Sequence, residues 1–168
     1  KPRPPLRGTI EAIYGMIVAQ SREPLFYRAL AVPDTVNGRF DLLLLHLWLV
    51  LRRLKSAEGG AALSQALFDH FCNDMDDNLR EMGVGDLTVP KRMQAFGEAF
   101  YGRAKAYDEA LAEGASDSVL VEALMRNLGV SSIEAPRFVR YVRSVGDTLR
   151  RHQDPQLLQG ELNWPRLA

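Results

Sequence analysis

Ten consecutive residues, 42–51, are apolar apart from His46. A helix that is apolar on nearly every side is buried, either in a bilayer or at the centre of a bundle. Spanning a bilayer takes about 20 apolar residues, so this run is too short. We predict a buried helix over 38–56 that forms the axis of the core, with an interfacial helix as the alternative. His46 is predicted to be a core histidine whose ring nitrogens bond a carbonyl or a carboxylate, because buried polar groups are paired.

The rest of the chain shows the same helical period. Glycine and proline residues interrupt it at intervals, and between them apolar residues recur every three or four positions. We predict an all-α, compact single-domain helical bundle of about six to seven helices over 1–168, with an irregular C-terminal tail over 154–168. Thr88 is predicted to cap its helix. The predicted helices are 9–20, 23–30, 38–56, 61–82, 88–113, 118–128 and 134–153. The residues of 61–82 predicted to face inward are Leu67, Phe71, Met75, Leu79 and Met82.

Composition excludes several classes of protein. The 21 Lys and Arg residues balance the 21 Asp and Glu residues, so the whole molecule generates no strong field that would gather DNA. A single cysteine, Cys72, excludes an internal disulfide framework and a cysteine-based metal cluster, and it fits a reducing compartment. No motif assembles a nucleophile, a general base and an oxyanion donor. The sequence therefore predicts no cofactor, no catalytic residue and no DNA partner.

The fourth predicted helix carries a charged face. His70, Asp74 and Asp77 fall at i, i+4 and i+7, which aligns an imidazole with carboxylates on one face. Residues 69–81 hold five carboxylates against Arg80, so the local field is negative. One interpretation is a solvated acidic face that binds a partner. The alternative is a small metal- or haem-dependent enzyme that uses His70, Asp74 and Asp77, although helical metal sites usually need a second imidazole.

The last long predicted helix has a basic outer surface opposite its apolar stripe. Such a surface suits RNA phosphates, so a ribosome- or RNA-associated factor is a further alternative. Arginines are equally typical of a solvated face or of a contact for an acidic protein. The arginines of this surface are Arg137, Arg140, Arg143, Arg150 and Arg151.

Several short strings follow one another in a specific order along the chain. They are Tyr14-Gly15, Phe26-Tyr27, Val32-Pro33-Asp34-Thr35, Gly38-Arg39-Phe40-Asp41, His46, Phe68-Asp69, Asp74-Met75-Asp76, Asn78-Leu79-Arg80-Glu81-Met82-Gly83-Val84-Gly85-Asp86, Val89-Pro90-Lys91-Arg92-Met93, Phe100-Tyr101-Gly102-Arg103 and Tyr107. In this order and spacing they resemble the ubiquinol–cytochrome c chaperone family, the assembly factors for cytochrome b of the respiratory bc1 complex. The match spans most of the chain, which looks like a compact bacterial member.

The resemblance implies an all-α, non-catalytic chaperone without a cofactor. It implies that the chain binds newly made cytochrome b and supports biogenesis of the bc1 complex. In mitochondria the family works with a small partner protein near the ribosomal tunnel exit, so a small assembly-factor subunit and the ribosome are further expected partners. The implied location is cytoplasmic with peripheral contact to the inner membrane, or the mitochondrial matrix in a eukaryote.

The densest of these strings, 74–93, coincide with the charged face of the fourth helix. We therefore predict that a groove edged by this helix and the loop to Lys91 takes a partner or client segment, with flexible methionines that adapt to apolar sequences. The predicted partner-binding residues are Asp69, Asp74, Asp76, Asp77, Arg80, Met82, Asp86, Lys91, Arg137, Arg140 and Arg143. The residues predicted to be buried and to contribute to stability only are Tyr27, Phe40, His46, Trp48 and Phe100.

Overall fold

The computed structural model describes residues 7–167, and every regular element in that range is a helix. The all-α prediction is confirmed. The seven predicted helices match α1 to α7 to within three residues at each end. The helices are α1 (Arg7–Ser21), α2 (Pro24–Arg28), α3 (Val36–Ser56), α4 (Gly60–Glu81), α5 (Val89–Ala110), α6 (Asp117–Leu128), α7 (Ala135–Arg151) and α8 (Asp154–Leu158).

Helix α3 lies at the centre of the bundle, as the apolar run predicts. It packs against α1, α4, α6 and α7, and all residues from 44 to 51 are buried. Eight consecutive buried positions cover every side of a helix, so the interfacial alternative for this run is wrong. Within residues 7–167, none of the helices combines the length and the apolarity that a membrane crossing requires.

The start of α3 is fixed by a tight turn. Helix α3 begins two residues earlier than predicted because Thr35 caps it, with its hydroxyl oxygen accepting a hydrogen bond from the Gly38 N–H at 3.0 Å. A Cβ on Gly38 would lie 1.9 Å from the carbonyl oxygen of Pro33, so the turn needs glycine there. Thr88 behaves differently, because it occupies the N-cap position of α5 but its side chain makes no capping bond. Thr88 therefore lies at the predicted N-cap position, but the prediction that it caps the helix with its side chain is wrong.

The C-terminal tail departs from the predicted irregular chain, because it contains α8 and packs on the core. Leu157 and Leu162 are buried. Arg53 of α3 holds this segment in place by donating to two carbonyl oxygens at the end of α7 and to Asp154, at 2.8–2.9 Å. The pKa of Asp154 lies below its usual range because the carboxylate accepts hydrogen bonds from the Glu58 N–H and from Arg53.

His46 is buried within a paired polar network, as predicted for a core histidine. Its Nδ1 donates to the carbonyl oxygen of Leu42 at 2.9 Å, so Nε2 accepts from the Tyr141 hydroxyl at 2.7 Å. Gln20 donates to the same hydroxyl at 3.0 Å, and the Ser21 hydroxyl lies 3.2 Å from Nδ1. The network joins α1, α3 and α7 through groups that would be costly to leave unpaired.

Gly15 allows a test of the helix propensity of α1. The residue is exposed within the helix, and a Cβ there would meet no neighbour within 4 Å. Glycine inside a helix costs roughly 0.5–1 kcal/mol relative to alanine, so Gly15→Ala is expected to raise the free energy of unfolding by that amount. Urea denaturation followed by circular dichroism measures the change. A decrease would mean that the added methyl group meets an obstacle on this open surface.

Candidate functional site

A groove of about 500 Å³ lies between α4 on one side and α1, α2 and the start of α3 on the other. It combines apolar side chains with a charged and polar rim. Such a surface suits a segment of another protein that is apolar on one side. Its apolar lining is Val18, Pro24, Phe40, Leu43 and Met75, and its polar lining is Tyr14, Ser21, Arg22, Tyr27, Arg28, Asp34, Arg39, Asp74 and Asn78.

Three arginines stand on the side of the groove opposite α4. Arg39 forms an ion pair with Asp34 at 2.7 Å, and its guanidinium lies 5.9 Å from the centre of the Tyr27 ring. Arg22 and Arg28 have no ion-pair partner within residues 7–167. This side of the groove therefore carries a net positive charge.

The α4 side of the groove carries Asp74. Its carboxylate accepts a hydrogen bond from the Tyr14 hydroxyl at 2.7 Å, and the His70 ring meets the Tyr14 ring edge-on, with 4.9 Å between the ring centres. Burial and the hydrogen bond to this carboxylate raise the pKa of Tyr14. The phenol therefore stays a donor, and Asp74 fixes α4 against α1 as well as lining the groove.

The three residues of the enzyme alternative do not form a ligand set. Asp74 binds Tyr14, while Asp77 is exposed on the surface of α4. Throughout the range 7–167, no three His, Cys, Asp or Glu side chains are grouped as metal ligands. A metal site built on His70, Asp74 and Asp77 therefore has no geometric support.

The groove has a different second edge from the predicted one. Helices α1, α2 and α3 close it, whereas the loop that leads to Lys91 does not line it. Of the predicted binding residues on α4, Asp74 lines the groove, while Asp69 and Asp77 are exposed elsewhere on the helix. The groove in the structure therefore shares its α4 edge with the predicted groove but not the loop, and partner binding by the predicted residues stays a prediction.

The exposed end of α4 is held by its own charges. Arg80 forms ion pairs with Asp76 and with Asp86 of the following loop. Met82, predicted to face inward, is 78% exposed because α4 ends just before it and the chain turns at Gly83, where φ is +86°. The inward prediction for Met82 is wrong, and its side chain forms part of the surface.

The arginine surface of α7 is not a uniformly basic stripe. Arg143 forms an ion pair with Asp117 of α6, and Arg150 forms one with Asp147 on α7 itself. Exposed pairs of this kind contribute little to stability, but each one cancels a positive charge. Among the described residues, the arginines of α7 without an ion-pair partner are Arg140, in the first half of the helix, and Arg151, at its C-terminal end.

Several groove residues were not anticipated from helical spacing. Tyr27 and Phe40, predicted to be buried, are only half-buried and line the groove, whereas His46, Trp48 and Phe100 are buried as predicted. The family resemblance contained the missing signal, because eight of the fourteen lining residues belong to its strings. A second cavity, of about 540 Å³, lies between α3 and α7, and none of its lining residues belongs to the strings that resemble the family. The eight are Tyr14, Tyr27, Asp34, Arg39, Phe40, Asp74, Met75 and Asn78.

Comparison with known proteins gives consistent results. A family model described as ubiquinol-cytochrome C chaperone matches residues 28–164. The chain is 31% identical over 151 residues to ubiquinol-cytochrome-c reductase complex assembly factor 1 of Xenopus laevis, covering 85% of this chain and 74% of that protein. It is 27% identical over 148 residues to the mitochondrial protein CBP3 of Saccharomyces cerevisiae, covering 83% of this chain and 44% of that protein. The crystal structure of the Cbp3 homolog from Brucella abortus has a TM-score of 0.85 and 37% identity, covering 95% of this chain and 90% of that one.

Proposed function

The chain belongs to the ubiquinol-cytochrome c chaperone family, and from this premise we propose that it binds newly made cytochrome b and supports assembly of ubiquinol-cytochrome c reductase without catalysing a reaction. The frog relative is named an assembly factor of that complex. A chaperone of this kind needs a surface that holds a segment of another protein until that segment is buried elsewhere. We assign this surface to the groove between α4 and α1, α2 and α3.

One observation carries the assignment. Most of the groove lining comes from the strings that resemble the family. Four of these residues also pack in or against the core, but Asp34, Arg39 and Asn78 are exposed, so core packing does not account for those three. The pairs Tyr14–Asp74 and Arg39–Asp34 hold its two sides in shape. A lining that is already ordered binds a segment with less loss of conformational entropy.

The chemistry of the lining favours an apolar segment that carries an acidic side chain. Val18, Leu43 and Met75 provide apolar contact, and a flexible thioether adapts to different apolar shapes. Arg22 and Arg28 stand at the rim, where a carboxylate on the bound segment would form charge-assisted hydrogen bonds. Complementary charge of this kind steers association and fixes the direction in which the segment lies.

We propose the end of α4 and its following loop as a second contact surface, for a small assembly subunit or the ribosome. Met82 is 78% exposed and Leu87 is 92% exposed, and Asp77 and Lys91 add charge to this part of the molecule.

The yeast relative is named a mitochondrial protein. Because the frog relative is named for a respiratory complex, we propose that the chain works at the surface of the membrane that contains this complex.

Site-specific photo-crosslinking tests the groove as the binding site. A photo-reactive amino acid is placed at position 78, on the α4 rim, and crosslinked proteins from native membranes are identified by mass spectrometry. We expect cytochrome b among them. The double variant Arg22→Glu/Arg28→Glu is expected to lower that crosslink about tenfold or more, because it places two negative charges where the segment's carboxylate is expected. Both arginines are exposed, so folding is expected to be retained.

The matched control is Arg126→Glu/Arg151→Glu, which makes the same change of charge at exposed positions outside the groove. It is expected to leave the crosslink intact. An unchanged crosslink in a folded Arg22→Glu/Arg28→Glu variant would remove the groove from the proposal. Recovery of other proteins in place of cytochrome b would show that the client itself is wrong.

A further inference from the structure

A smaller cavity, of about 200 Å³, lies between α7, α2 and the C-terminal tail. Three arginines line it, Arg137 and Arg140 from α7 and Arg166 from the tail. Ser144 lies one turn beyond Arg140 on α7 and adds a hydroxyl group. No acidic side chain is among the residues that line this cavity.

The positive charge of this cavity is largely uncompensated. Arg137 is paired through Nη1 with Glu134 at 3.5 Å, and this glutamate does not line the cavity. Arg140 and Arg166 are exposed and have no ion-pair partner in the part of the chain that the structure describes. Two other arginines of α7 are each bound to an aspartate. The three cavity arginines therefore form a cationic surface with no carboxylate in its lining to compete with an anion.

The cavity is also partly ordered in advance. One terminal nitrogen of Arg137, Nη1, donates to the carbonyl oxygen of Ala29 at 3.1 Å, which holds the guanidinium at the cavity wall. A guanidinium has five N–H donors, so others are left for a ligand. Leu25 and Leu167 add apolar surface beside the arginines, where the carbon chain of an esterified anion would find contact.

We propose that this cavity binds a phosphate group, either of a soluble phosphate ester or of a phospholipid head group. Arginine matches the geometry of phosphate through two parallel hydrogen bonds, and three arginines with one hydroxyl can surround such a group. A nucleic-acid strand fits less well, because Tyr141, the aromatic residue of the lining, is buried and offers no platform for a base. This site goes beyond the proposed client groove, with which it shares no lining residue.

The test compares two double variants with the same loss of charge. Arg140→Gln/Arg166→Gln removes cavity arginines, and Arg143→Gln/Arg150→Gln removes arginines already paired with aspartates. Calorimetric titration measures binding of inorganic phosphate and of glycerol 3-phosphate. Co-sedimentation measures binding to phosphatidylcholine vesicles with and without phosphatidylglycerol. We expect saturable binding that weakens about tenfold or more in the first variant and about twofold or less in the second.

Loss of soluble phosphate binding in the cavity variant alone supports the proposal with a soluble ester as the ligand. Loss of phosphatidylglycerol-dependent vesicle binding in that variant alone supports it with a lipid head group as the ligand. Failure of every probe to bind saturably would overturn the proposal. Equal weakening in both double variants would also overturn it, because binding would then follow net charge rather than the cavity.

Discussion

Replacing Phe26 with alanine is expected to lower the free energy of unfolding by about 3–5 kcal/mol, the usual cost of deleting a buried phenylalanine ring. Phe26 is fully buried although α2 has only five residues. Its ring lies 5.1–6.0 Å, between ring centres, from those of His46, Phe138 and Tyr141. The deletion therefore opens a cavity beside the buried polar network as well as in the apolar core.

Chemical denaturation followed by tryptophan fluorescence measures this loss. Tyr101→Ala is the matched control, because it deletes an aromatic ring that is 65% exposed. Its expected cost is less than about 1 kcal/mol. A similarly small loss of unfolding free energy in both variants would show that Phe26 does not anchor α2. The part of the groove wall that α2 forms would then be stabilised by other contacts.

Acidification is expected to destabilise the protein through His46, mainly between the ordinary histidine pKa of 6.5 and a pKa of about 4 in the folded chain. Burial lowers the pKa of this imidazole, and the hydrogen bond to the Leu42 carbonyl opposes the effect only in part. A proton on Nε2 would also face the hydroxyl hydrogen of Tyr141, which points at the same nitrogen. The neutral ring is therefore the form that the folded core accommodates.

The sign follows from proton binding. Between these two pKa values the unfolded chain holds a proton on His46 that the folded chain does not, so the free energy of unfolding falls as the pH falls. The stability from this source is complete above the unfolded pKa and is lost as the pH approaches the folded pKa. The difference amounts to about 3 kcal/mol over this window.

Urea denaturation of the chain and of His46→Gln at a series of pH values measures this contribution. Glutamine is uncharged throughout, and its amide has a donor for Leu42 and an acceptor for Tyr141. The variant is therefore expected to lose most of the pH dependence between 6.5 and about 4 that the folded histidine creates. If it kept the full dependence, carboxylates elsewhere would set the acid stability, and His46 would not be the neutral centre of the core.

The long helices could be predicted because each buries a stripe of side chains at helical spacing. In α7, for example, Phe138, Val142 and Leu149 are all buried as their spacing indicates. Helix α8 could not be found in this way, because it is little more than one turn long and buries Leu157 alone. It is held by Arg53 of α3, a contact between distant parts of the chain that local periodicity does not record.

The candidate site was predictable only on one of its sides. The concentration of charge on α4 pointed to Asp74, which does line the groove. Arg22 and Arg28 are single basic residues in the sequence. They become a cationic rim only because α1 packs against α4 and α2 lines the same groove. Arg166 could not be predicted for the same reason. It lies beside Arg137 and Arg140 of α7 only because the folded tail brings it to the cavity that they line.

The enclosure of His46 also determines when the chain can complete its folding. The ring is in contact with Ser21 from the first helix and with Trp164 near the other end of the chain, whose ring centre lies 5.4 Å away. Contacts between residues so far apart in sequence form only after the intervening chain is available. During translation the central helix therefore stays partly uncovered until residue 164 has been synthesised, and the native core closes only after that point.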